Sequence, residues 1–285
     1  LIGSVSRLYM SNKCLLIADH KSVDKQIHIF NKNDFSYLTS IGNFGEGPEE
    51  ITVMGCLAID EAHHQLYVSD HAKQKIFSYD MDSVMVDSLY KPQVKTAMNE
   101  TLFPSEYQYI NDTLSIAVLI KPTSTSTFNQ FLGRWNMNTG EMIPMKYTHP
   151  DIQKKRITFA ASEKAGIYVE CYTRHDLMTI CSLDGELLYN IYGPDWDGGN
   201  GNKLQSFGTV MIGNDKIFVS YCGEDYARDS FPTKILVFDL EGNYLKTLET
   251  GYKISDCCYD SFNNRIILSL NDVVQFAYLD IDGII

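Results

Sequence analysis

The chain has 285 residues, 44% hydrophobic and 21% charged, with a formal net charge of −12. Such a composition is globular, and long enough to bury a large core in one or two domains. The acidic balance excludes a nucleic-acid backbone or an anionic lipid surface as partner, because both need a Lys/Arg surplus. No run of about 18 apolar residues reads as a membrane-spanning helix.

One phrase recurs along the chain: a β-like run, a break, a second run, a third closing on a large residue, a polar turn and a fourth run. The first copy is SRLYM, CLLIAD, QIHIF, the turn NKND and FSYLTSI. The second is CLAID, QLYVSD, KIFSYD, the turn MDSV and MVDSL; the third is YQYI, LSIAVLI, FLGRW, NMNTG and EMIPM. RITFAA, GIYVEC, LMTIC, SLDG and ELLYNI make the fourth, and TVMIG, KIFVSY, KILVF, DLEG and NYLKTL the fifth. The sixth, ISDCCY, RIILSL, VVQFAYL and DIDG, runs to the end of the chain. The residues closing the third runs are Phe30, Tyr79, Trp135, Cys181, Phe238 and Leu279, and by subtraction they are 49, 56, 46, 57 and 41 apart.

Several short strands per period of about 40–50 residues are the signature of propeller blades. No window shows sustained apolar spacing of three and four, so helix is nearly absent. The expected fold is all-β: one six-bladed β-propeller over 1–285, with four-stranded antiparallel blades around a central channel. The blades fall roughly at 1–44, 51–90, 104–147, 156–192, 205–249 and 252–285. A two-domain sandwich is the competing class, but it does not predict six copies of one phrase. Gly in SLDG and DLEG suits hairpin turns with positive φ. The seven cysteines form no CxxC pair and no zinc spacing, so they read as buried hydrophobes.

In this map IGNFGEGPEE (41–50) crosses from the first blade to the second. Four of the five crossovers carry proline, at Pro48, Pro92, Pro150 and Pro194, where a missing N–H costs little. A phosphate cradle is excluded: GNFGEG lacks the Lys-Ser/Thr of a P-loop, and two acids follow it. Gly45, Gly47, Pro48 and Glu50 match the G-x-G-P-x-E signature, and the chain resembles the six-bladed propeller lipoproteins of Bacteroidetes, TolB-like or NHL-like in architecture. The opening LIGSVSRLYMSNKCLLIAD also resembles that family's entry into its first blade. The resemblance implies export to the periplasm or cell surface, and a lipid anchor on a cysteine upstream of this chain. It also implies a strand upstream of Leu1 that closes the last blade.

Loops between blades, and between second and third strands, open on one face, and here they are the richer set. His20 and His71 follow Asp19 and Asp70 at equivalent places. They suit an acid–base or metal cluster, or else the Asp bonds loop amides and the His is solvated. Glu50 is either a channel-facing base or calcium ligand, or a cap on loop amides. Arg174 suits either a clamp on a ligand carboxylate or pairing within the structure. In GPDWDGGNGN, the residues Asp195, Asp197, Asn200 and Asn202 offer oxygen ligands, but the required glycine and bidentate Glu of a calcium loop are missing. No cofactor is therefore expected, with calcium at this loop as the alternative. Trp196 suits stacking on a sugar or peptide, or packing on the rim. Tyr226 and Arg228 belong to a loop long enough to share its wall. Trp196, Tyr226, Arg228, Arg174 and His71 are expected to border one concavity.

No G-x-S-x-G elbow or H-E-x-x-H motif occurs. The expected function is an exported binding module for a glycan, peptide or protein partner on this face. A metal-assisted hydrolase or lyase, lactonase-like with a divalent ion in the channel, is the alternative; a structural or assembly protein is a third class.

Overall fold

A computed structural model describes residues 1–4, 6–200 and 204–285. Contacts divide the chain into two compact units, Leu1–Pro144 and Met145–Ile285.

The first unit holds three sheets, each with its strands paired antiparallel in chain order. They are β1 (Ser6–Met10), β2 (Cys14–Asp19), β3 (Lys25–Asn31) and β4 (Tyr37–Asn43); β5 (Met54–Asp60), β6 (Gln65–Asp70), β7 (Lys75–Asp80) and β8 (Gln93–Ala97); and β9 (Phe103–Asn111), β10 (Leu114–Pro122), β11 (Phe128–Trp135) and β12 (Met142–Pro144). The second unit repeats the pattern. It has β13 (Ile157–Ser162), β14 (Ile167–Tyr172), β15 (Leu177–Ser182) and β16 (Leu187–Tyr192), then β17 (Leu204–Gly213), β18 (Lys216–Asp225), β19 (Lys234–Asp239) and β20 (Tyr244–Glu249). Its last sheet is β21 (Ile254–Asp260), β22 (Arg265–Leu270) and β23 (Phe276–Asp280), three strands where the repeat predicts four.

Burial follows position in the sheet. The second strands β2 and β14 are buried at every residue, whereas the last strands β8, β12 and β16 have no buried residue. Sheets bury both faces by stacking, so second strands read as continuous apolar runs. Last strands are edges, and edges are blunted by shortness, charge and bulges. Accordingly β4, β8, β16 and β20 each pair with the preceding strand through one register shift.

Within the first unit, Leu16, Ile27 and Ile29 pack with Leu57, Leu66, Val68 and Phe77, and on the other side Tyr67 and Ile76 pack with Tyr107, Leu119 and Trp135. In the second unit, Val169, Cys171 and Ile180 meet Phe207, Val210 and Ile217, while Phe218, Ile235 and Val237 meet Ile254, Cys257 and Ile266. Each fully buried Leu, Ile or Phe contributes about 1.5–3 kcal/mol, so stacking is the main source of stability. All seven cysteines are free and buried, as expected, and burial pushes the Cys56 thiol up to about 12. Gly185 and Gly242 take positive φ (+90° and +83°) in the two predicted turns.

The second copy departs from the sequence reading. Met81–Val84 is a single helical turn, α1, and MVDSL forms no strand. Asp80 caps the turn by accepting from the Ser83 N–H at 2.8 Å, and its own N–H donates to Tyr90 Oη. An Asp cap and the burial of Val84 outweigh a short apolar run. The outer strand is β8 instead, so Pro92 introduces an edge strand and does not mark a crossover, a place where proline is tolerated.

Candidate functional site

The connection between β4 and β5 is built around Glu50. Its Oε2 accepts from the Gly47 N–H at 2.8 Å, and a Cβ on Gly45 would stand 2.0 Å from that oxygen. Lys73 Nζ clamps the loop from outside, donating to the Glu50 carbonyl at 2.7 Å and to Thr52 Oγ1 at 3.0 Å. Glu50 thus caps a loop amide, one of the two roles expected of it.

The two Asp-His pairs are held by loop contacts of the same kind. Asp70 is fully buried and accepts from the N–H groups of Thr52, Val53, Ala72 and Lys73. Asp19 accepts from Gly3 and Lys21. Both aspartates close strand ends by satisfying loop amides. Their histidines are not simply solvated: His20 Nε2 reaches the Gly55 carbonyl at 3.2 Å, and His71 packs edge-on against Phe103 at 4.8 Å. A Cβ on Gly55 would stand 2.1 Å from His71 Nε2, so glycine there makes room for the ring. Burial lowers the His71 pKa and favours the neutral ring.

Three of the expected ligand residues come together in the second unit. The Arg174 guanidinium lies 3.2 Å from the centre of the exposed Tyr226 ring. Next to it, the His175 ring is 6.1 Å from that of Trp196. Trp196 is half-buried, with Tyr192 at 5.0 Å and His149 at 5.3 Å. His149 orders this patch: its Nε2 pairs with Tyr192 Oη at 2.9 Å, and its Nδ1 accepts from the Asp151 N–H. Asp176 anchors the other end, accepting from the Asp195 N–H and from Tyr221 Oη. Trp196 is therefore packed on aromatic neighbours and also partly exposed. Arg228 is exposed and pairs loosely with Glu224 at 3.8 Å. His20, His71 and Glu50 belong to the first unit and to the contacts given above.

A cavity of about 480 Å³ opens beside this cluster, lined by Asp151, Gln153, Lys154, Arg156, Arg174, His175, Gly199 and Asn200. Lys154 and Arg156 escaped the sequence reading, although KKR at 154–156 is the chain's only run of three basic residues. Between them Lys155 turns inward and forms a buried ion pair with Glu170 at 2.9 Å, and Tyr172 Oη also donates to that carboxylate. In the calcium-like loop, the Asp195 N–H and the Asn200 amide bond within the protein, and Asn202 lies outside the described residues.

Among the described residues one group has metal-ligand spacing, Asp60, His63 and Asp112. Asp60 there already accepts from His63 and Tyr67, so its oxygens are engaged. The opposite loop ends are richer than their tight turns suggest. A cavity of about 430 Å³ lies between the first two sheets, with Leu16, Ile59, Met81 and Met85 in its walls and Lys13, Glu61 and Asp82 around them.

A family model described as a 6-bladed beta-propeller (DUF5128) matches residues 1–132. No curated protein matches the chain. Among solved structures, the chain is similar to the β-propeller domain of Cps50 (Swd1) from Myceliophteria thermophila, with 9% identity, a TM-score of 0.59, and 98% of this chain and 97% of that one covered. It is similar to a DUF4221 family member from Bacteroides vulgatus (9% identity, TM-score 0.59, 96% and 92% covered). A third likeness is to a Bacteroides fragilis protein described, provisionally, as exported (14% identity, TM-score 0.59, 95% and 80% covered). At such identities the likeness speaks for the fold alone. The fold is an all-β six-bladed propeller with almost no helix.

Proposed function

We propose that this propeller is an extracytoplasmic binding module, held to a membrane by a lipid anchor, that takes a glycan, peptide or partner protein on the loops of its fourth and fifth blades. The observation that carries the reading is the cavity of about 480 Å³ beside Trp196 and Arg174. Its size falls within the range of small-ligand sites, and convergent polar groups are what such sites use for orientation; Trp196 reaches it through the His175 ring. Propellers commonly serve as binding scaffolds, and the four residues Arg174, His175, Trp196 and Tyr226 come from three separate connections brought together by the fold. The resemblance to exported Bacteroidetes propellers and the likeness to the B. fragilis protein support the location.

A glycan and peptide array probed with wild type and Trp196→Ala, with a melting curve for each, tests the reading. Binding should weaken by about 1–3 kcal/mol with the fold intact. Lost stability with no lost binding would reduce Trp196 to a packing residue.

A further inference from the structure

We infer that the cavity beside Trp196 receives the acid group of an anionic saccharide, a uronate or a sugar sulfate; this rests on the binding-module reading and names its ligand class.

The first ground is charge. The chain carries 36 acids against 24 bases, yet Lys154, Arg156 and Arg174 converge on one cavity whose wall has, among the described residues, a single carboxylate, Asp151. Among the described residues no carboxylate pairs with Lys154 or Arg174. Arg156 Nη1 is turned to the Lys155 carbonyl at 2.7 Å, which orients its fork. Surface cations in an acidic protein ordinarily find acids, so Lys154 and Arg174, gathered without one among the described residues, point to an anion from outside.

The second ground is preorganisation. The Arg174 guanidinium carbon sits 3.2 Å over the centre of the Tyr226 ring, and a guanidinium packed on an aromatic face keeps its N–H groups for an oxyanion. The buried Lys155–Glu170 pair pins the segment from beneath, so that its neighbours Lys154 and Arg156 stay at the cavity.

The third ground is an unsatisfied pair. His175 is 94% buried by difference from its 6% exposure, and its Nδ1 has no hydrogen-bond partner. Asp197 Oδ1 is equally unpartnered and lies 3.9 Å away, too far for a direct bond. Buried polar atoms are rarely left so. One group that both donates and accepts, such as a hydroxyl, would satisfy both. A sugar ring carries hydroxyls next to its acid group, whereas an Asp or Glu side chain of a peptide does not. Trp196, half-buried against the His175 ring at the cavity, offers an aromatic surface next to it that suits a sugar as well.

Trp196 supplies the readout. The chain has two tryptophans, and Trp135 is buried in the first unit, so the two indole N–H signals in an NMR spectrum separate cavity from core. Glucuronate, N-acetylglucosamine 6-sulfate, glucose and glutamate are titrated in turn. The two acidic sugars should shift the Trp196 signal, bind about tenfold or more tighter than glucose and glutamate, and weaken with salt. Arg174→Ala and Lys154→Ala should each lose about tenfold, with unchanged melting curves. Equal binding of glucose, or full binding by both variants, would overturn the inference. So would an unmoved Trp196 signal with every probe. Peptide binding on the array with no sugar response would leave the binding module standing and remove the saccharide.

Discussion

The Glu50 carboxylate fills the space in which a Cβ on Gly47 would stand, 2.9 Å from its Oε2, and the Gly47 N–H donates to that same oxygen. The glycines and the acid of G-x-G-P-x-E are therefore one device, a loop folded round its own carboxylate. Gly47→Ala should cost about 1–2 kcal/mol, because Glu50 must swing away and leave an amide unpaired. In a Glu50→Ala background the same change should cost almost nothing. Urea unfolding of the four proteins measures the coupling; additive losses would mean that glycine and acid act separately.

Lys155 and Glu170 form the most deeply buried ion pair among the described residues, at 8% and 2% side-chain exposure. Removing one partner strands a charge. Lys155→Met should lose about 3–5 kcal/mol, and adding Glu170→Leu should restore most of it. Denaturant midpoints report both. No recovery in the double variant would place the loss in packing and not in charge.

Gly213 ends β17 directly beneath the Tyr259 ring, where an added Cβ would lie 1.9 Å from Cδ1. That ring cannot easily yield. It stacks on Phe218 at 4.8 Å, and its hydroxyl is held by Asn214 and Asn264. Gly213→Ala should cost about 1–3 kcal/mol by overpacking. A melting temperature equal to wild type would show that the fifth and sixth blades can part there.

The fold was legible because blade stacking leaves a periodic trace: second strands such as CLLIAD must be apolar on both faces, and turns such as SLDG must carry glycine. The second blade's outer strand was not legible, since an edge strand like QVKTA has no buried residue to mark it. MVDSL was apolar enough to mislead, and only the Asp80 cap distinguishes it. At the site, connection type led to Arg174, Trp196 and Tyr226, of which Arg174 meets Tyr226 and Trp196 packs near the adjacent His175. Lys154 and Arg156 could not, because their direction depends on Lys155 finding Glu170, a contact between a connection and a strand that no spacing encodes.

Stability should fall as the pH drops below neutrality. Burial lowers the pKa of His28, His71 and His175, because each ring would lose hydration on charging. In the unfolded chain these rings take up protons near the ordinary value of 6.5, while the folded chain still holds them neutral. Below 6.5 the unfolded state thus binds more protons, and each further step in acid favours it. His63 opposes the trend, because its hydrogen bond to Asp60 raises its pKa, but that ring is largely exposed and counts for less. Asp176, raised by burial, adds stability only in the carboxylate range, as its proton is retained by the folded state. Melting temperatures between pH 7.5 and 5.5 should therefore decline, and His175→Gln should flatten the decline. An equally steep curve in that variant would move the effect to His28 and His71, and a flat wild-type curve would mean that the rings gain protons without cost.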